Sequence, residues 1–175
     1  LVGTPHAGST VDLAISGPPA APTTMYSSRR PLLAAPTHTA YGALWIPGGI
    51  DDAVLGNVDQ LLSATSRIVI CTGIINIWKQ DPADVAAWWQ AQPAERQARV
   101  LLGIGISHGP IIGEDWMKPI AKMRHWLDGA DAAGLPRDAL CVAALGPQMM
   151  ALAGQRTAGA HPYLIDASHT AGARA

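Results

Sequence analysis

From Tyr41 onward, short apolar runs alternate with segments whose apolar residues recur at helical spacing, and this alternation constrains the fold more than any other feature. The apolar runs predict strands at 42–47, 68–74, 100–104, 141–145 and 159–165. The segments between them predict helices at 51–65, 83–92, 118–133 and 147–156. Strands that are apolar throughout and joined by helices are typical of a parallel sheet covered by helices. The chain is therefore predicted to be an α/β protein.

The first forty residues differ in composition from the rest. Prolines are dense there among alanine, serine and threonine, which disfavours both helices and central strands. One alternating run, Val11–Ser16, is a candidate first strand. We therefore divide the chain into a proline-rich segment, 1–40, and an α/β portion, 41–175. Five or six strands suit either an open doubly wound sheet or part of a barrel, and the count alone does not decide between them.

Local signals mark several helix ends. Asp81 stands before Pro82, which combines a capping side chain with proline at the first helical position. Gly134 follows the helix predicted at 118–133 and is placed to end it. Asp166 and Ser168 are candidate caps for a further helix near the end of the sequence.

The charge balance and the cysteines narrow the classes of function. The sequence contains 12 Lys and Arg residues and 13 Asp and Glu residues, so it shows no basic footprint for nucleic acid. No apolar run reaches the roughly 18 residues that span a bilayer, so a membrane partner is not expected. Cys71 and Cys141 both lie in apolar runs and are predicted to be buried, reduced thiols. Leu1 opens no recognisable signal peptide, and a cytoplasmic location is expected.

The run Gly103–His108 is similar to the start of a dinucleotide-binding fingerprint. His108 stands where the third glycine would be, so we interpret the run as a tight turn at a strand end rather than an NAD site. His108 itself follows the carboxyl end of a predicted strand, where parallel α/β folds place their sites. It is a candidate proton relay, and a loop histidine bonded to a backbone carbonyl is the alternative.

Other motifs are ambiguous or point to packing. The glycine in Thr72–Trp78 indicates either a structural bulge or a close approach to a ligand. Gly146-Pro147 indicates either an anion site or an ordinary helix start. The histidines and cysteines lack the spacing of zinc ligands, so no metal site is predicted. The pairs Trp88-Trp89 and Asp128/Asp131 are interpreted as packing residues and solvated helix charges.

Five segments occur in an order that resembles a known superfamily. They are Tyr41–Pro47, Thr72–Trp78 with Asp81–Ala83, Leu102–His108, Ala143–Met149 and Ala158–Leu164. Together they resemble the luciferase-like monooxygenase superfamily, and within it the coenzyme F420-dependent oxidoreductases of mycobacteria and other actinobacteria. The resemblance implies a (β/α) TIM-barrel-like fold, apparently truncated after about six strands. It also implies a cofactor bound at the carboxyl ends of the strands.

The resemblance assigns roles to individual residues. It implies a cis peptide bond between Gly73 and Ile74 that backs the cofactor ring, with Asn76 also beneath that ring. His108 matches the catalytic, proton-handling position. The remaining residues that it assigns to cofactor binding are Gly105, Ser107, Leu145 and Gly146, of which the last two would hold the ribityl-phosphate arm.

The reaction implied is hydride transfer between coenzyme F420 and a small organic substrate. An FMN-dependent monooxygenase on the same scaffold is the first alternative, because F420 and FMN share a tricyclic ring and a ribityl-phosphate arm. A shortened, non-catalytic relative that stores a cofactor or dimerises is the second. A homodimer is expected, because an open barrel leaves edge strands that a second copy would cover.

Overall fold

The structure is a computed structural model that describes residues 42–48, 53–107 and 118–172. The proline-rich segment 1–40, with the strand predicted at Val11–Ser16, lies outside the described residues. So does His108, the predicted proton relay.

Helices separate the strands along most of the described chain, as the apolar pattern predicts. The strands are β1 (Ala43–Pro47), β2 (Val69–Gly73), β3 (Ile75–Asn76), β4 (Val100–Gly105), β5 (Leu140–Ala143) and β6 (Ala160–His161). The helices are α1 (Val54–Ala64), α2 (Pro82–Ala91), α3 (Ala94–Gln97), α4 (Pro119–Ala132), α5 (Pro147–Arg156) and α6 (Ala167–Gly172). A 3₁₀ turn at Arg137–Ala139 leads into β5.

The six strands form one parallel sheet in the order β1-β2-β4-β5-β6, with β3 paired beside the end of β4. In a flat sheet, strands lie about 4.8 Å apart, so β1 and β6 would be separated by roughly 19 Å. Instead, the rings of Trp45 on β1 and His161 on β6 lie 4.6 Å apart between centroids. The sheet is therefore curled into a half-barrel, and the predicted α/β class with a parallel sheet is confirmed.

The hydrophobic core lies between the convex face of the half-barrel and the helices. Side chains alternate across a strand, so the neighbours of inward-facing Trp45 and His161 point outward. Outward positions on the three central strands include Ile70, Leu102 and Val142, and all three are fully buried. The helices cover them with an apolar stripe whose buried members include Val58, Leu62, Trp89, Met123, Trp126, Leu127 and Leu152.

The helix ends follow the local signals. The Asp81 carboxylate accepts a hydrogen bond of 2.8 Å from the backbone N–H of Ala83 and so caps α2, as predicted. Gly134 has φ +77°, the left-handed conformation that a helix-ending glycine supplies. Asp166 accepts bonds from the backbone N–H of His169 and the hydroxyl of Ser168, at 2.9 and 2.6 Å, and caps α6.

Two predicted strands differ from the observed ones. The strand predicted at 159–165 is only two residues long, because Pro162 has no N–H to continue the ladder. The run predicted at 68–74 ends at Gly73, after which β3 pairs with β4 instead of continuing beside β1. Within the described ranges, no helix is long and apolar enough to cross a membrane.

Candidate functional site at the strand ends

All six strands are parallel, so their carboxyl ends meet at one rim of the half-barrel. Gly73 lies at this rim at the end of β2 and is exposed to solvent. The peptide bond between Gly73 and Ile74 is cis, at the position that the family resemblance implies. The described residues that the resemblance assigns to the cofactor lie at or near this rim.

Three strand ends converge at Gly105, the last residue of β4. A Cβ atom at this glycine would lie 2.5 Å from Cδ1 of Ile74 and 3.2 Å from Cβ of Ala143. The Ile74 side chain thus lies across the end of β4 and close to the end of β5. Asn76 pairs in register with the same glycine. Of the residues predicted to hold the cofactor, the structure brings Ile74, Asn76 and Gly105 together.

Asn76 is buried and organises the turn after β3. Its side-chain oxygen accepts a hydrogen bond of 3.0 Å from the backbone N–H of Trp78. Its carbonyl accepts from the backbone N–H groups of Lys79 and Gln80, both at 3.0 Å. The indole N–H of Trp78 in turn donates to the carbonyl of Ile106, at 2.9 Å. Asn76 therefore fixes the path of the chain around the rim, and its predicted place beneath a ring stays a prediction.

Ser107 follows β4 with φ 58°, a left-handed conformation that is uncommon for a residue other than glycine. It is the last described residue before the gap that contains His108. The structure thus places the backbone that leads to His108 at the rim. The proton-relay role of His108 itself remains a prediction.

Leu145 and Gly146 lie beyond β5, at the start of α5. Leu145 is 53% exposed, and the Cβ position of Gly146 has no atom within 4 Å. Among the described residues, no side chain caps the N-terminus of α5. The first N–H groups of this ten-residue helix consequently face an open part of the rim, and such groups suit an anion. Ala143, at the end of β5, connects these two residues with Gly105. It lies beside Gly105 on the neighbouring strand and precedes Leu145 by two positions.

The concave face contains residues to which the sequence patterns gave no part in a functional site. The register pairs Trp45 with Cys71, Gly103 with Cys141, and Ala143 with His161, so all of these positions point inward. The Trp45 and His161 rings meet at an interplanar angle of 40°. The two-residue period of a strand shows which of its residues share a face. Which residues of different strands share the concave face becomes known only from the register between the strands.

The two inward thiols are buried, as predicted. Burial raises the pKa of the Cys71 thiol to about 12. The pKa of Cys141 is also raised well above its usual range, by burial first and by the neighbouring Cys71 second. Both thiols are therefore uncharged at neutral pH. Reactive cysteines have lowered pKa values, so neither is suited to act as a nucleophile.

The glycine pattern of β4 serves strand packing. Gly103 lies within β4, in agreement with the predicted strand at 100–104, and Gly105 is the last residue of that strand, so the chain leaves the strand later than the turn predicted for Gly103–His108 implies. A side chain at Gly103 would overlap the carbonyl oxygen of Thr72. The Thr72 hydroxyl meanwhile donates a 2.9 Å hydrogen bond to the carbonyl of Gly103. Close contact between β2 and β4 is what requires a glycine there.

Among the residues that the structure describes, no three His, Cys, Asp or Glu side chains are grouped to hold a metal ion. No protein-family model matches the chain, and no curated protein matches it in sequence. Membership of the luciferase-like superfamily is therefore a hypothesis that depends on the five segments alone.

Proposed function

We propose that the protein is an F420-dependent oxidoreductase built on part of a (β/α) barrel, and that the rim of its half-barrel binds the deazaflavin. The observation that carries this proposal is the convergence of Ile74, Gly105 and Ala143, which brings the ends of β2, β4 and β5 into contact. These three strand ends belong to segments that the family resemblance assigns to one cofactor site.

The surroundings of this convergence suit a flat ring with a phosphate-bearing arm. The exposed Gly73 offers backbone without a side chain, so a planar ring can lie directly against it. The open N-terminus of α5 at Gly146 offers unpaired N–H groups to a phosphate. The donor set at the rim is therefore compatible with a tricyclic cofactor that has a ribityl-phosphate arm.

Each residue has a defined part in this proposal. The backbone at Gly73 and Ile74 supports the ring, and Gly105 lets the Ile74 side chain pack down out of its way. Gly146 and the first turn of α5 hold the phosphate. His108 moves a proton to or from the substrate. The bound deazaflavin supplies the hydride chemistry, while the protein positions the ring and excludes competing reactions.

A homodimer is part of the proposal. Strand β6 is an edge strand of the described sheet, and the residues just beyond it are apolar and exposed. Tyr163 is 64% exposed and Leu164 is 86% exposed. A second copy that covered this edge would remove both from water, and size-exclusion chromatography of the purified protein would detect the dimer.

The test of the cofactor proposal is a pair of titrations with F420 and with FMN, followed by cofactor fluorescence. We expect saturable binding of F420 that is tighter than binding of FMN. Tighter binding of FMN would favour the first alternative, an FMN-dependent monooxygenase. Binding of neither would refute an F420-dependent or FMN-dependent function and favour the non-catalytic alternative.

A variant at the rim makes the same test specific to the site. The Cβ position of Gly73 meets only ordinary contacts, 3.6 Å from the Trp45 ring and 3.7 Å from the Ile46 carbonyl. Gly73→Val should therefore fold but place a branched side chain where the ring would lie, and F420 binding should be lost. Gly56→Val, at an exposed position of α1 with open space around it, is the matched control and should bind normally.

A further inference from the structure

On the concave face of the half-barrel, as far as the described residues show it, one ring nitrogen has no hydrogen-bond partner. The Nε2 atom of His161 is buried and forms no hydrogen bond with any residue that the structure describes. It lies 3.1 Å from the position that a Cβ atom at Gly103 would occupy. A buried polar atom that lacks a partner is unfavourable, and native structures rarely keep one without a reason.

None of the described side chains around this nitrogen forms a hydrogen bond with it. Inward positions on β1, β2 and β5 include Trp45, Cys71 and Cys141, and the inward positions of β4 include Gly103 and Gly105. The two thiols are uncharged, and none of these residues carries a charged group. Burial lowers the pKa of His161 to about 4, so the imidazole is neutral at neutral pH. A neutral imidazole offers one hydrogen-bond donor and one acceptor.

The location of His161 connects this nitrogen with the rim. His161 pairs with Ala143, which lies beside Gly105 where the strand ends converge. Its ring packs against Trp45 and is only partly buried as a whole. An aromatic surface next to a single neutral hydrogen-bonding group suits a planar ligand that has an uncharged polar edge.

We propose that His161 binds the cofactor ring, with its imidazole hydrogen-bonded to an uncharged carbonyl or ring nitrogen of the ligand and Trp45 packed beside it. This inference rests on the proposed function, because it needs a ring at the rim. It adds a residue from β6 to a site otherwise built from the ends of β2, β4 and β5 and the start of α5.

Titrations of four proteins with F420 and FMN test the inference. They are the unmodified protein, His161→Phe, His161→Gln and His125→Phe. Phenylalanine keeps a flat ring but removes both nitrogens, whereas glutamine keeps a donor and an acceptor. His125 is an exposed histidine of α4, on the outer layer, and provides the matched control.

We expect His161→Phe to weaken binding about tenfold or more, the loss of one hydrogen bond to a buried group. His161→Gln should recover most of that affinity, and His125→Phe should bind normally. Thermal unfolding of each variant shows whether it is folded. The ¹⁵N resonances of the His161 ring in the unmodified protein give a second readout that needs no variant, and they should shift when the cofactor is added.

The outcomes separate the two proposals. Equal affinity of the unmodified protein and His161→Phe, with unmoved ring resonances, would overturn the role of His161 and leave the cofactor site standing. Failure of the unmodified protein to bind F420 or FMN would overturn the proposed function and this inference with it. If His161→Phe does not fold, the ring resonances alone decide, since a direct contact must move them.

Discussion

The Nε2 atom of His161 lies 3.1 Å from the point where a side chain at Gly103 would begin. The two residues belong to β6 and β4, which are separated by β5, and their contact spans the concave face. The same point is also overlapped by the carbonyl oxygen of Thr72 on β2. A side chain at Gly103 would therefore meet the backbone of Thr72 on one side and the imidazole of His161 on the other.

Replacing Gly103 should destabilise the protein strongly. Gly103→Ala forces a methyl group against the Thr72 carbonyl, which cannot move without separating β2 from β4. We expect a loss of about 2–3 kcal/mol in the free energy of unfolding, measured with urea. Gly154→Ala is the matched control, since that glycine lies in α5 with nothing within 4 Å of its Cβ position. The control should gain about 0.5–1 kcal/mol, and equal effects at the two glycines would contradict the close contact.

The stability of the protein should depend on pH through His161. Its pKa falls from an ordinary 6.5 to about 4 because the ring is buried. As the pH falls, the unfolded chain takes up this proton first. The contribution of neutral His161 to the free energy of unfolding is thus fully present above about pH 6.5. It is lost between about pH 6.5 and 4, by at most on the order of 3 kcal/mol.

Comparison with a variant isolates this contribution. The other groups that face His161 from β2 and β5, Cys71 and Cys141, stay uncharged throughout this range. Urea unfolding at about pH 7.5 and about pH 4.5 should show a smaller acid-induced loss in His161→Phe than in the unmodified protein. His125→Phe should behave as the unmodified protein does. Parallel losses in all three proteins would show that His161 is not buried in this way.

Local chemistry was enough to predict most of the outer layer. The helix predicted at 147–156 is observed at Pro147–Arg156, because proline at the first helical position after Gly146 marks its start. The cap at Asp81 and the glycine that ends α4 were likewise predicted from the adjacent residues alone. The length of β6 was overestimated because the apolar pattern of 159–165 outweighed Pro162, whose missing N–H ends the pairing.

The inner face was beyond prediction for a different reason. Which residues of one strand share a face follows from the period of two, but which face is concave depends on register and curl. Those are set by contacts between distant segments, such as Trp45 with His161. The cis bond between Gly73 and Ile74 was anticipated only through the family resemblance. His161 lies in Ala158–Leu164, one of the five segments that carry the resemblance, yet nothing in the neighbouring sequence showed that its ring faces inward.

The cap of α2 gives a prediction with a conservative control. The Asp81 carboxylate accepts the N–H of Ala83 at 2.8 Å, and this bond satisfies one of the N–H groups that a helix start leaves unpaired. Asp81→Ala should lower the free energy of unfolding by about 1 kcal/mol. Asp81→Asn keeps an acceptor and should stay within a few tenths of the original. A loss of similar size in both variants would point to charge rather than capping, and urea unfolding distinguishes the two.

A surface ion-pair network joins α4 to α5 and should respond to salt. The Arg156 guanidinium lies 2.8 Å from a carboxylate oxygen of Asp128 and 2.9 Å from one of Asp131. The two carboxylates were predicted to be solvated charges, and they are indeed 65% and 45% exposed, but they share this one partner. Because exposed ion pairs contribute little, Arg156→Ala should cost only about 0.5–1 kcal/mol at low salt.

The salt dependence identifies the source of that loss. At about 1 M salt the screening length is roughly 3 Å, so most of the difference between Arg156→Ala and the unmodified protein should disappear. Arg124→Ala is the control, since Arg124 is an exposed residue of α4 that forms no ion pair within the described ranges. It should change stability little at either salt concentration. A loss in Arg156→Ala that persists at high salt would instead indicate packing of the Arg156 side chain, of which 24% is exposed.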